Sequence, residues 1–308
     1  MPLVSIALCT YNGEKYLVEQ LDTLVKQDYP ELEVIVVDDG SKDQTVAILK
    51  QYESVYPFFK VYQNEQNLGY TKNFEKAISL CNGDFIALSD QDDSWELDKI
   101  SLMIREIKDN LLLYHDSEFM TEEGISLNRK ISDVRNFYAG EDSRVFLLEN
   151  CVSGHAILFK KELLNFIGDF DKSSFHDWWL VYVASNHGKI GFINNCLVKY
   201  RQHTDANTNI LGLKRDSTKK RDALLQIEKE YHRIKFFTEY EFNNFQPFKT
   251  KLLELYSSRM ESYFSFSLTF FIYQHRAQLL FIKKKSALSK INFIVRYAWG
   301  YKLKAILG

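Results

Sequence analysis

The chain has 308 residues, 45% hydrophobic and 15% aromatic, with 39 Lys and Arg against 41 Asp and Glu. That is material for one large domain or two ordinary ones, and only 4 Pro and 13 Gly exclude a collagenous or low-complexity chain. The balanced total hides a split: residues 1–209 carry 20 basic and 33 acidic side chains, residues 210–308 carry 19 and 8, and eight basic residues but no acidic one follow Glu261.

In chain order, the first half alternates short β-rich runs with longer helical stretches. Val4–Leu8, Val34–Val37, Phe59–Tyr62 and Phe85–Leu88 read as strands, and Glu14–Lys26, Asp43–Tyr56, Tyr70–Leu80 and Trp95–Lys108 as helices. This rhythm predicts βαβ units, hence an α/β fold with a mostly parallel, Rossmann-like sheet flanked by helices. Strand candidates at Leu111–His115, His155–Phe159 and Ile190–Val198 follow, with a helix over Asp177–Asn186. From about Leu213 onward only helices are predicted. A polar, turn-rich stretch at 205–213 coincides with the change in charge balance. It divides a first domain, residues 1–209, from a helical extension, residues 210–308.

Four scattered cysteines (Cys9, Cys81, Cys151, Cys196) without a CxxC pair speak against a disulfide framework or metal knot and fit a reducing cytoplasm. The opening Met-Pro-Leu-Val-Ser-Ile lacks the basic region and apolar core of a signal peptide. There is no GxGxxG after the first strand, no P-loop, no HExxH and no GxSxG. This argues against dinucleotide dehydrogenases, NTPases, zincins and α/β-hydrolases.

Polar clusters follow the strands, where ligands of such sheets collect. After the first come Thr10-Tyr11-Asn12, after the second Asp38-Asp39-Gly40-Ser41, after the fourth Asp90-Gln91-Asp92-Asp93. Three carboxylates in four residues repel one another unless a cation or donors compensate. Asp90 and Asp92 can present oxygens to Mg²⁺ or Mn²⁺, or the run is a solvated acidic turn opening a helix. Asp38-Asp39-Gly40-Ser41 reads as an acceptor for a base or ribose, or as a turn and helix cap. In His176-Asp177-Trp178-Trp179, Asp177 suits a general base with indoles that stack on sugar, or a helix cap whose Trp residues enter the core. In Tyr200-Arg201-Gln202-His203, Arg201 can meet phosphate and His203 a metal, or both are structural.

Six ordered segments resemble glycosyltransferase family 2, the inverting nucleotide-sugar transferases of GT-A fold, over roughly residues 1–205. They are Val4-Ser-Ile-Ala-Leu-Cys-Thr-Tyr-Asn-Gly, Val-Ile-Val-Val-Asp-Asp-Gly-Ser (34–41), Asn67-Leu-Gly-Tyr-Thr-Lys-Asn73, Phe-Ile-Ala-Leu-Ser-Asp-Gln-Asp-Asp (85–93), His-Asp-Trp-Trp (176–179) and Tyr-Arg-Gln-His (200–203). The last three are most similar to a rhamnosyltransferase-like branch of bacterial cell-surface polysaccharide synthesis. The resemblance implies that Thr10, Tyr11, Asn12 and Glu14 line the nucleotide pocket and that Asp39 holds the base. It sets Lys72 and Asn73 near ribose and diphosphate, and Asp90 toward ribose and sugar. Asp92 and His203 would hold Mn²⁺ or Mg²⁺, and Asp177 would be the base, with Trp178 and Trp179 toward the acceptor. Many members have Glu before the base, where this chain has His176. The implied reaction moves a sugar, rhamnose by resemblance, from a thymidine or uridine diphosphate donor to a lipid-linked glycan. The alternatives are a galactosyl- or N-acetylhexosaminyltransferase, or a non-catalytic nucleotide-sugar-binding scaffold of a synthase complex.

The tail lies beyond the resemblance. Its apolar run Phe264–Ile282 is interrupted by Gln274-His275-Arg276, so no membrane-spanning helix is expected. A basic, aromatic, acid-free helical segment reads as a binder of anionic membrane surfaces. A homodimer interface is the alternative, and nucleic acid is not expected as a partner. The expected location is cytoplasmic, peripheral at the inner face of a bacterial cell membrane.

Overall fold

The structure, a computed structural model, describes residues 1–172, 174–203, 211 and 223–307. Strand β1 (Val4–Thr10) is buried along its whole length, as a strand must be when helices cover both faces of a parallel sheet. β2 (Leu32–Asp38), β3 (Phe59–Gln63) and β4 (Phe85–Ser89) run parallel to it in the order β3-β2-β1-β4. Three crossover helices connect them: α1 (Glu14–Val25), α2 (Thr45–Val55) and α3 (Tyr70–Ser79). Helix α1 buries Leu17, Gln20, Leu21 and Leu24, a spacing that keeps one stripe on the sheet.

Beyond β4 the sheet turns mixed. Among the described residues nine strands form it. Short β5 (Ser94–Trp95), β6 (Leu112–Met120), β7 (Ser126–Lys130), β8 (Ile157–Lys160) and β9 (Ile190–Arg201) complete it in the order β4-β8-β6-β9-β5, with β7 beside β6. β8 is antiparallel to both β4 and β6, and β9 is parallel to β6. Two reversals cancel, so β9 ends at the same edge as β1, β2 and β4. That topology decides where the site assembles.

Several elements differ from expectation: β7 is not among the predicted strands, and β8 begins at Ile157 instead of His155. Trp95 lies in β5, paired with Val198, and helix α4 begins only at Lys99 (Lys99–Ile107). β6 runs to Met120, five residues past the predicted end, because β9 pairs along nearly all of it.

The chain divides into two units. The first is Met1–Asp133, Phe137–Glu141 and Val152–Asp205, the second Val134–Asn136, Asp142–Cys151 and Ala206–Gly308. The expected boundary at 209/210 and, apart from Leu211, its turn-rich stretch lie outside the described residues. The first unit also holds α5 (His176–His187). The second is built from α6 (Ala223–Thr238), α7 (Gln246–Glu261), α8 (Phe266–Gln274), α9 (Ala287–Val295) and α10 (Tyr301–Leu307). Ile227, Ile234, Phe237, Leu252, Tyr256, Leu268 and Ile272 are buried in it. Lys249 is buried too, its Nζ donating to Ser143 Oγ and Asn243 Oδ1, both at 2.7 Å, and burial pushes its pKa down to about 7.

Candidate active site

The loops after β1 and β2 are stitched together by side chains. Thr10 Oγ1 donates to Asp38 Oδ2 (3.0 Å), and Asp38 Oδ1 also accepts from the Gly40 and Ser41 backbone N–H groups. The Asn12 N–H donates to Ser41 Oγ (2.9 Å), Asn12 Oδ1 accepts from Lys42 N–H (2.8 Å), and Glu14 Oε2 accepts from Gln44 N–H (2.7 Å). Asn12 is left-handed (φ 47°), a conformation Asn tolerates better than most residues. The polar atoms of Thr10, Asn12 and Glu14 thus hold the loops in shape. The Tyr11 side chain is exposed, while the Gln91 amide clamps its backbone N–H (2.8 Å) and C=O (3.1 Å).

Asp39 is buried under the next turn. Its Oδ1 accepts from Asn64 Nδ2 (2.7 Å) and Leu68 N–H (2.8 Å), its Oδ2 from Gly69 N–H (2.9 Å). A carboxylate oxygen accepts two bonds, so Oδ2 retains one position. The Asn73 amide is committed inside the fold, donating to Val37 O (2.8 Å) and accepting from Asn64 (2.9 Å). Its place is beneath the site, supporting Asn64. Lys72 pairs with Glu75 at 2.7 Å. Both line a cavity of about 410 Å³ that none of Asp90, Asp92 and Asp177 borders.

The turn between β4 and β5 carries the carboxylates, and the three have different environments. Asp93 is fully buried. Its Oδ1 accepts from the Arg201 backbone N–H (3.0 Å), and its Oδ2 lies 3.1 Å from His155 Nδ1 without a well-directed hydrogen bond. Burial, then the charges of Asp92 and Asp90, push its pKa well above the usual carboxylate range. Asp90 is 37% exposed and 3.5 Å from the same nitrogen. Burial works to raise its pKa, but the His155 hydrogen bond and charge outweigh that and hold it low. Burial therefore disfavours the charge on Asp93, while His155 favours it on Asp90. Lys99 lies beneath, fully buried, donating to His155 O (2.6 Å) with its Nζ 3.0 Å from the centroid of the Trp95 ring. Burial drives its pKa far down.

Asp92 meets His203. Its Oδ2 lies 2.8 Å from His203 Nε2 across 111 positions of sequence, since His203 emerges just past β9 at the common strand edge. Tyr16 packs on the His203 ring at 5.1 Å. Arg201, by contrast, is not available to phosphate. Its Nε donates to Asp92 O (2.8 Å), Nη1 to Glu122 O (2.7 Å) and Nη2 to Glu19 Oε2 (2.6 Å), with Tyr16 against its plane. Buried and bonded at all three nitrogens, it braces the acidic turn.

Asp177 stands in the first turn of α5, its Oδ1 accepting from the Trp178 N–H (2.6 Å). The preceding His176 is buried and stacked on Phe74 (3.9 Å), and burial brings its pKa down to about 4, although the nearby Asp90 charge opposes this. The charge of Asp177 in turn raises the pKa of Tyr70, whose largest influence is burial. So the start of α5 faces the start of α3 and the acidic turn. Trp178 is half-buried. Trp179 is turned inward: its indole is 3% exposed and donates to Ile167 O (2.9 Å). The expectation that it offers a sugar-stacking face is corrected, because α5 is packed on the side where Trp179 points.

The family pattern described as Glycosyl transferase family 2 matches residues 5–168. The chain belongs to glycosyltransferase family 2. It is a glycosyltransferase of GT-A fold. Its relatives include an uncharacterized glycosyltransferase of Rickettsia typhi, 31% identical over 215 residues, or 68% of this chain and 66% of that protein. The putative teichuronic acid biosynthesis glycosyltransferase TuaG of Bacillus subtilis is 30% identical over 132 residues, covering 42% of this chain and 52% of TuaG. Among solved structures, S. aureus TarS in complex with UDP-GlcNAc superposes with TM-score 0.59 at 22% identity, over 83% of this chain and 71% of that one.

Within that fold, two residues escaped the sequence reading. His155 contributes to the only set of three His, Cys, Asp or Glu ligand atoms converging among the described residues, with Asp90 and Asp93. No local signal marks it, since it sits in a 3₁₀ turn (Gly154–Ala156) ahead of β8. Lys99 passes for an ordinary residue of an amphipathic helix.

Proposed function

We propose that this enzyme is a metal-dependent, inverting transferase that moves a hexose from a thymidine or uridine diphosphate donor to a lipid-linked, cell-surface polysaccharide acceptor. Rhamnose is the first donor sugar to test. The names of TuaG and TarS's bound UDP-GlcNAc support a surface-polysaccharide role and a nucleotide-sugar donor. The observation that carries the reading is the meeting of Asp92 and His203 at 2.8 Å beside Asp90, at the edge where β1, β2 and β4 end.

A carboxylate oxygen and an imidazole nitrogen suit Mn²⁺ or Mg²⁺. Asp92 and His203 are the pair we assign to it, since Asp92 keeps 18% exposure at the strand edge, whereas Asp93 and His155 are sealed off (0% and 1%). A divalent ion held there would offset charge on the departing diphosphate. The chain's own groups do the rest. Asp39 keeps one acceptor position on Oδ2 for an N–H of the base. Tyr11, exposed above the stitched loops, packs against it. Asp90, held ionised, accepts hydroxyl donors of ribose and sugar. Asp177 takes the proton of the acceptor hydroxyl, which attacks the anomeric carbon opposite the leaving diphosphate and inverts it. Trp178 borders the acceptor.

A panel of thymidine and uridine diphosphate sugars, read as nucleotide diphosphate release with and without Mn²⁺, tests this. Release from one donor class that depends on the metal is expected, while release that EDTA leaves untouched removes the metal from the reading.

A further inference from the structure

The second unit exposes more aromatic surface than a solvated helical unit needs. Segments 262–266 and 298–300 pair, with Ser265 N–H on Ala298 O (2.8 Å) and Gly300 N–H on Tyr263 O (2.9 Å). This gathers Phe264, Phe266 and Trp299 into one patch. Phe264 and Phe266 stack at 5.6 Å and Trp299 lies 5.9 Å from Phe264. Phe266 is 67% exposed, and Phe270, one turn along α8, 61%. On α9, Leu288, Ile291 and Val295 recur at helical spacing and are all exposed, so that helix leaves an apolar stripe unpartnered.

The segment that builds this surface is basic, since no acidic residue follows Glu261 in sequence, and Glu261 itself is the exposed acid next to it. Not all eight cations serve it. Lys283 pairs with Glu149 at 2.5 Å, Lys290 Nζ donates to Leu280 O (2.9 Å), and Lys304 is half-buried near Arg259 and Glu230. Arg276, Lys285, Arg296 and Lys302 are exposed.

We propose that this face is a docking surface for an anionic lipid bilayer. Exposed Phe, Trp and aliphatic side chains interleaved with cations are the chemistry of the headgroup boundary, where apolar groups enter the acyl layer and cations meet lipid phosphates. A second copy is the wrong occupant, because a two-fold contact would set the exposed cations Arg296 and Lys302, which flank Trp299 in sequence, against themselves. Among the described residues no helix is long and apolar enough to cross a membrane.

The test uses the full chain in co-sedimentation with phosphatidylcholine vesicles, with and without phosphatidylglycerol. Binding to the anionic vesicles is expected, falling steeply with added salt as the Debye length shortens. Each exposed cation lost should weaken it about fivefold, so K285Q/R296Q/K302Q should bind roughly a hundredfold less well with an unchanged Tm. F266S/F270S should lose the binding that survives in high salt. Equal binding to neutral vesicles, a triple variant that binds like the parent, or no vesicle binding with a dimer in sedimentation each overturn it. Donor cleavage is read separately, so failure here and failure of the proposed reaction are distinguishable.

Discussion

Asp92 and Asp93 are adjacent, yet one faces His203 at 2.8 Å and the other is sealed under the turn with its pKa raised by burial. Their amide variants should therefore part. Asp92→Asn should abolish most turnover and weaken nucleoside diphosphate binding in Mn²⁺, because a neutral amide is a poor ligand for a hard dication. Asp93→Asn replaces a buried acid, whose charged form burial disfavours, by its near-isostere and should keep nucleotide affinity within a few-fold. Calorimetric titration of UDP into each protein checks the pair, and equal losses would erase the distinction. Asp177→Asn should leave donor binding intact while lowering turnover by about 10²–10⁴, the usual loss for a general base. Single-turnover rates alongside donor affinity separate that from a structural defect.

At the scale of elements, Arg201 joins three pieces: the β4–β5 turn through Asp92 O, the β6–β7 turn through Glu122 O, and α1 through Glu19. Lysine has one donor head and no planar fork. Arg201→Lys should cost about 1–3 kcal/mol in denaturant unfolding, since a lysine buried there cannot donate to all three acceptors, and should weaken donor binding although the side chain touches no donor. The 3₁₀ turn ahead of β8 meets α5 just as tightly. A Cβ on Gly154 would lie 2.7 Å from His176 Nε2, and the His176 ring is itself held by stacking on Phe74. Gly154→Ala should destabilise by about 1–3 kcal/mol, the range for overpacking. Thermal unfolding measures it, and an unchanged Tm would mean that α5 shifts freely.

Across the whole molecule, buried histidines set the response to acid. His115, His155 and His176 are all buried, and burial depresses the pKa of each, His176 to about 4. A depressed pKa means the unfolded chain binds more protons than the folded one, so stability is fully present above about pH 6.5 and drains away as pH falls toward 4. For His176 the full shift amounts to about 3 kcal/mol. Asp93 acts oppositely: raised by burial, it costs stability as pH climbs above the ordinary carboxylate range. Glu230, also raised by burial, joins Asp93, while Lys99 and Lys249, pushed down by burial, join the three histidines, and the net slope is downward on acidification. The Tm should drop distinctly between pH 7 and pH 5, and His176→Phe should flatten part of the fall.

The strand–helix alternation of residues 1–110, the polar loops at strand ends and the ordered family segments were legible from sequence because each is local. An apolar run long enough for a buried strand, a one-sided helical stripe and a turn of Asp, Gly and Asn declare themselves within a dozen residues. Tertiary structure alone decided the rest. The antiparallel insertion of β8 is what returns β9 to the same edge and delivers His203 to Asp92, and it rests on pairings such as Ile86 with Phe159, more than 70 positions apart. The same pairing seats His155 beneath Asp90, spends Arg201 on backbone carbonyls, draws Trp95 into a strand, and leaves Asp93 dry. Trp179 turns inward for the same kind of reason, since which side of α5 is covered depends on what packs there. Pattern within a segment reports the free energy of burying one face; it carries no information about which distant groups share a burial, and a charge in this site is kept or lost by its neighbours.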